Sequence, residues 1–147
     1  MPTTGTHLRR AAVALLGLSL LIYGAGVLRS FFDDSDCALY NYDGKLGGGT
    51  KTIQKRDYVV TLCGNGGGRS HFFGDSLERV RLTISDTQGQ LLARRYYSVF
   101  WDALPGHQPI ELEQNRIVYY DDDDKSDSRR TIAMPPSLID WIRARVF

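Results

Sequence analysis

The chain reads as mainly β, of the α+β kind: an N-terminal transmembrane helix, then a small antiparallel sheet of five or six strands with a short C-terminal helix packed on it. Three observations predict this. A stretch without a single charge runs from Ala11 to Leu28. Several later segments alternate apolar and polar residues with the period of two that marks a half-buried strand. Near the end, Pro135-Pro136 is followed by Ser137 and, three residues on, Asp140, a helix-start pattern.

The apolar stretch AAVALLGLSLLIYGAGVL is eighteen residues long. At about 1.5 Å of rise per residue, a helix of that length nearly crosses a ~30 Å hydrocarbon core. Arg9 and Arg10 precede it, whereas Asp33, Asp34 and Asp36 follow soon after Arg29. Positive charge is retained on the cytoplasmic side, so residues 1–10 are expected in the cytoplasm and everything beyond the span outside it. This divides the chain into a cytoplasmic N-terminus (1–10), a signal anchor in the inner membrane (11–28), a juxtamembrane linker (29–36) and an extracytoplasmic β-rich domain (37–147), periplasmic in a bacterium. A cleaved secretory signal is the competing reading, with Gly24-Ala25-Gly26 supplying small residues for cleavage and a secreted product. The retained anchor is preferred because the apolar run continues through Leu28. A lipoprotein signal is excluded by the acidic spacer Asp34-Ser35-Asp36 before Cys37.

The 37–147 segment carries 15 basic and 14 acidic residues, and the whole chain of 147 residues has a net charge of +1. That balance removes the electrostatic argument for a nucleic-acid partner. The two cysteines are too few for a four-cysteine zinc site, and neither HExxH nor CxxC occurs. No cofactor motif and no metal site is expected. Cys37 and Cys63 both lie beyond the span, in a compartment that favours oxidation, so they are expected to pair. Closing that loop contributes about 3 kcal/mol by the chain-entropy argument.

The elements follow in order. Ala38 to Asp43 is a short strand candidate ending at the turn signal Asp43-Gly44, with loop from Lys45 to Gly49. Thr52 to Leu62 contains Tyr58-Val59-Val60-Thr61-Leu62, a strand expected to run into Cys63. Gly64 to Gly68, with four glycines in GNGGG, is too costly to order as regular structure. In Glu78 to Ser85, Val80, Leu82 and Ile84 point one way while Arg79, Arg81 and Thr83 point the other. Asp86-Thr87-Gln88-Gly89 makes a tight turn. Gln90 to Trp101 returns as the partner strand, and Pro105-Gly106 turns the chain again. Arg116 to Tyr120 and Arg129 to Met134 form a further hairpin around the acidic loop Asp121 to Asp127. In the final helix Leu138, Trp141, Ile142 and Val146 fall near one face, which is expected to dock on the sheet.

Four sets of residues invite functional readings. The stretch Cys63 to Asp75 could form an anion nest of backbone amides with Arg69 beside it. The same stretch holds Ser70, His71 and Asp75, but three reactive types within six residues is not how a triad is assembled, and no GxSxG elbow is present. Asp121 to Asp124 resembles a calcium loop in composition, yet Ser126 and Ile132 stand where glycine and glutamate are needed, which favours a solvated hairpin tip. The aromatic set Tyr96, Tyr97, Phe100, Trp101, Tyr119 and Tyr120 would place alternate rings on opposite sheet faces, one set in the core and the other available to a partner.

No catalytic residue is assigned. The function expected is a non-catalytic, protein-binding accessory, inhibitor or protective module that meets another envelope protein. A small-ligand or anion-binding domain using the Gly-rich loop and Arg69 is the alternative, and a small hydrolase acting at Ser70 and His71 the third.

Overall fold

The structure, a computed structural model, describes residues 12–24, 35–66, 77–101 and 107–146. The chain divides into two compact units, Met1–Asp33 with Arg145–Phe147, and Asp34–Ala144. In the first unit residues 12–24 form helix α1. Val13, Leu15, Leu16, Leu18, Leu20 and Leu21 on this helix are all exposed. Among the described residues no helix is long and apolar enough to cross a membrane. The thirteen described helical residues rise about 20 Å, against a ~30 Å core. Residues 11 and 25–28, the ends of the expected span, lie outside the described residues, as do residues 1–10 and 29–34.

The second unit is mainly β and wholly antiparallel. After the short helix α2 (Asp43–Leu46) come β1 (Gly49–Ile53), β2 (Arg56–Cys63), β3 (Leu77–Asp86) and β4 (Leu91–Phe100). These four make one sheet in chain order, a meander. Then β5 (Glu111–Glu113), β6 (Arg116–Tyr120) and β7 (Arg129–Ala133) make a second sheet, also in chain order, before helix α3 (Leu138–Val146). The single sheet of five or six strands expected from the sequence is thus, among the described residues, seven strands in two sheets.

The strand count changes locally: β1 and β5 are added, and the strand expected over Ala38 to Asp43 is lost. The strand expected over Tyr58 to Leu62 forms within β2, and ahead of it the chain turns at Gln54-Lys55, both at positive φ, 51° and 62°, so that β1 pairs back on β2. A two-residue hairpin of this kind is normally signalled by Asn-Gly, and neither residue is present here. The short strand expected over Ala38 to Asp43 is reduced to a bridge between Asn41 and Cys63, followed by α2. Asp43 starts that helix and its Oδ1 accepts the Leu62 amide at 2.7 Å, which ties α2 to β2.

Elsewhere the alternation holds. Val80, Leu82 and Ile84 of β3 are fully buried, opposite Tyr97, Arg95 and Ala93 of β4. Val60 and Leu62 of β2 complete that face, and Ile117, Tyr119 and Ile132 of the second sheet pack in the same core. The Tyr97 and Tyr119 rings meet across the sheets at 5.1 Å between centroids. The turn at 86–89 forms as expected, with Gly89 at φ 80° and Asp86 Oδ1 accepting the amides of Gln88 and Gln90. The Arg116–Tyr120 and Arg129–Ala133 hairpin also forms, with Ile117 opposite Ile132.

Helix α3 starts where its capping box places it. Ser137 Oγ accepts the Asp140 amide at 3.2 Å, and Asp140 Oδ2 accepts the Ser137 amide at 2.9 Å. The face it turns inward is not the apolar one. Asp140 and Ala144 are buried, whereas Leu138, Ile139, Trp141 and Ile142 are exposed. The inward face is chosen by charge: Arg95 Nη2 of β4 donates to Asp140 Oδ1. The expected docking through Leu138, Trp141 and Ile142 is therefore corrected.

Candidate functional site

Cys37 and Cys63 are joined by a disulfide, with Cα atoms 4.9 Å apart and a separation of 26 residues. Cys63 ends β2, and residues 36–42 are laced beside it: Asp36 N donates to Gly64 O, Gly64 N to Tyr40 O and Tyr42 N to Leu62 O. The bridge fixes the start of the domain to the end of a central strand. Arg81 of β3, opposite Cys63, donates from Nη2 to Cys37 Sγ at 3.2 Å.

At the same end of the sheet sits a buried carboxylate. Glu78 lies two residues before Val80 on the core face of β3 and is 2% exposed. Its Oε1 accepts Tyr42 Oη at 2.7 Å and the Gly66 amide at 2.8 Å, and its Oε2 accepts Trp101 Nε1 at 2.6 Å. Both oxygens are satisfied, as a buried carboxylate requires. Gly64 has to be glycine here, because a Cβ would stand 2.2 Å from Glu78 Oε1. Gly66 takes φ 75°, and a Cβ on it would meet the Tyr40 ring at 2.4 Å. The described part of the Gly-rich stretch therefore does turn an amide toward an anion, but the anion is the chain's own Glu78. Lys45 Nζ lies 5.3 Å from the Trp101 ring, a cation–π distance.

Trp101 also packs edge-on to Tyr42 at 4.8 Å and to His107 at 6.3 Å. The His107 side chain is 3% exposed, and its Nδ1 lies 2.7 Å from Asp122 Oδ2. The same Asp122 oxygen accepts the Phe100 amide at 2.7 Å, so it acts as a double acceptor and Nδ1 is the proton-bearing nitrogen. His107 Nε2 is buried without a hydrogen-bond partner among the described residues. This arrangement orients an imidazole as a base would be oriented. Among the described residues no hydroxyl or thiol is hydrogen-bonded to it.

The acidic loop is built from internal bonds. Asp121 and Asp122 extend along β4: Asp121 Oδ1 accepts the Ser98 amide at 2.9 Å, and the Asp122 amide donates to Ser98 O at 2.9 Å. Asp124 accepts from the Ser126 hydroxyl at 2.7 Å and its amide at 3.0 Å, and pairs with Arg130. Those bonds, the Ser126 hydroxyl first, hold the Asp124 carboxyl well below the usual carboxylate range. Among the described residues no group of three or more His, Cys, Asp or Glu could hold a metal ion. The loop is thus more than a solvated tip, since its first two residues fasten the second sheet to the first.

The expected aromatic set is dispersed. Tyr97 and Tyr119 are core residues, and burial pushes both hydroxyls up from the ordinary tyrosine value. Trp101 is half-buried over Glu78 and His107. Tyr120 donates from Oη to Glu111 Oε1 at 3.1 Å on the second sheet. Only Tyr96 and Phe100 share the outer, half-exposed face of β4, beside Arg94, with Arg79 and Arg81 on the adjoining β3. The Arg79 guanidinium lies over the Tyr96 ring at 4.4 Å. Arg69, Ser70, His71 and Asp75 lie outside the described residues. A separate cleft of about 460 Å³ opens beside Arg56, Asp57, Asp86, Leu92 and Pro135, with charges of both signs and no convergent set of partners.

Sequence reasoning assigned no role to Glu78 or His107. The signal for Glu78 was present, because it shares the parity of Val80, Leu82 and Ile84; His107 had none beyond its residue type. Comparison with protein-family models, with curated proteins and with solved structures finds no match to this chain.

Proposed function

We propose that this chain is a membrane-anchored extracytoplasmic module that binds another envelope protein and carries out no chemistry of its own. The observation that carries the reading is the Cys37–Cys63 disulfide, the kind of cross-link that persists in an oxidising compartment. The charge-free run 11–28 is its anchor, and the exposed apolar side chains of α1 support that assignment, since lipid is the medium that suits them. The charge bias across the run leaves residues 1–10 in the cytoplasm and the β domain outside, in the periplasm if the cell is bacterial.

The partner surface is the outer face of the four-stranded sheet. Tyr96 and Phe100 supply half-exposed aromatic area there, and Arg79, Arg81 and Arg94 ring them with positive charge. Aromatic residues with arginine are the composition that anchors protein interfaces, and a partner with an acidic contact surface complements it. The interior polar groups have structural work instead: Glu78 and Asp122 fasten loops to strand ends.

The test is site-specific photocrosslinking in intact cells that express the full chain. A photoreactive side chain at position 96 or 100 should give the same discrete protein adduct, and Arg79→Glu should remove it. One at Thr87, in the turn, should give none. Identical patterns from all three positions, or no adduct from any, would count against this surface.

A further inference from the structure

Helix α3 is amphipathic and mounted with its apolar face outward. Over nine residues at about 100° each, Asp140 and Ala144 point inward and are buried. The opposite side carries Leu138, Ile139 and Ile142, 72%, 61% and 43% exposed, with Trp141 on its margin. Asp140, the sole acid of the helix, is engaged by Arg95 and Ser137. The exposed Arg143 beside the apolar face is cationic. An outward apolar stripe, a tryptophan at its edge and an arginine beside it are the features of a helix that lies in a lipid interface.

We propose that α3 seats Leu138, Ile139 and Ile142 in the interfacial layer of an anionic phospholipid bilayer, with Trp141 at headgroup level and Arg143 against the phosphates. Charge complementarity selects this occupant: the helix shows no acid to repel an anionic surface, and each arginine near such a surface adds attraction. The proposal rests on the reading that residues 11–28 anchor the chain. Nine residues give too little apolar area for stable attachment alone, so α3 acts as the second of two membrane contacts and holds the β domain down on the bilayer.

The fluorescence of the full chain in vesicles tests this. Its two tryptophans are Trp101 and Trp141, and none lies in residues 1–36, so insertion of the anchor alone is silent. With brominated acyl chains in vesicles containing phosphatidylglycerol, roughly half of the emission should be lost, that of Trp141. Trp141→Phe should abolish the loss, and Arg143→Glu should weaken it. Leu138→Ser with Ile142→Ser should abolish it while leaving the thermal transition unchanged, which separates lost docking from lost folding.

Alkaline extraction of the same vesicles reports on the anchor independently. A chain that resists extraction yet shows no quenching would overturn the α3 proposal and leave the anchor standing. A chain that is extracted would remove the anchor reading and this proposal with it. Equal quenching in brominated phosphatidylcholine vesicles would overturn the choice of an anionic surface. Quenching that is absent while Ile142→Asp converts a dimer to a monomer would assign the face to a second copy instead.

Discussion

Glu78 shows what a single residue does in this fold. Its carboxylate collects donors from Tyr42, Gly66 and Trp101, which lie 36, 12 and 23 residues away in the chain. Glu78→Ala removes the shared acceptor of three part-buried donors, and hydrogen bonds to charged groups contribute about 1.5–3 kcal/mol each. The expected loss, by urea unfolding, is about 4 kcal/mol, with Glu78→Gln losing less because its amide oxygen still accepts. That Glu78 faces the core was legible from the alternation of β3. Its partners were not, because each comes from a segment whose place depends on the whole sheet. Asp140 gives a pH prediction at the same scale. Burial pushes its carboxyl up, but the hydrogen bonds from Ser137 and Arg95 together outweigh that and hold it below 3.8. Its contribution is complete above the unfolded value and is lost as pH falls through the lowered folded value. Thermal melts should therefore show a constant gap between wild type and Asp140→Asn from pH 7 to about 5, closing as the pH drops further.

At the scale of elements, capping and turn chemistry could be read more readily than the orientation of a face. The Ser137–Asp140 box forms as its spacing predicts, and so does the Asp86–Gly89 turn. The periodicity of α3 shows which side is apolar but not which side meets the sheet, and Arg95 decides that by drawing Asp140 inward. Ala144→Leu should consequently destabilise the domain by about 1–3 kcal/mol through overpacking. Leu138→Ser should change stability by less than about 0.5 kcal/mol, as at other exposed sites. The β1–β2 hairpin was illegible for the opposite reason: its turn lacks the usual residues. Lys55 sits at φ 62°, a conformation glycine adopts without the Cβ penalty. Lys55→Gly should raise stability by roughly 0.5–1 kcal/mol in the same unfolding assay. A fall instead would show that the lysine side chain contributes more than its backbone strain costs.

For the whole molecule, the pairing of Cys37 with Cys63 was legible once the chain was read as exported, since only an oxidising compartment makes two lone cysteines a bridge. The division into two sheets was not, because it depends on Asp121 and Asp122 bonding along β4, a role that a run of aspartates does not announce. Reduction of the disulfide, or Cys37→Ser with Cys63→Ser, should cost about 3 kcal/mol from the 26-residue separation. The central claim is that the β domain stands outside the cytoplasm on a membrane anchor. Protease added to sealed membrane vesicles of known orientation, made from cells expressing the full chain, tests it most directly. The account predicts digestion of residues 37–147 from the extracytoplasmic side, with an epitope on residues 1–10 protected. Protection of the β domain in those vesicles, and its digestion only from the cytoplasmic side, would contradict it.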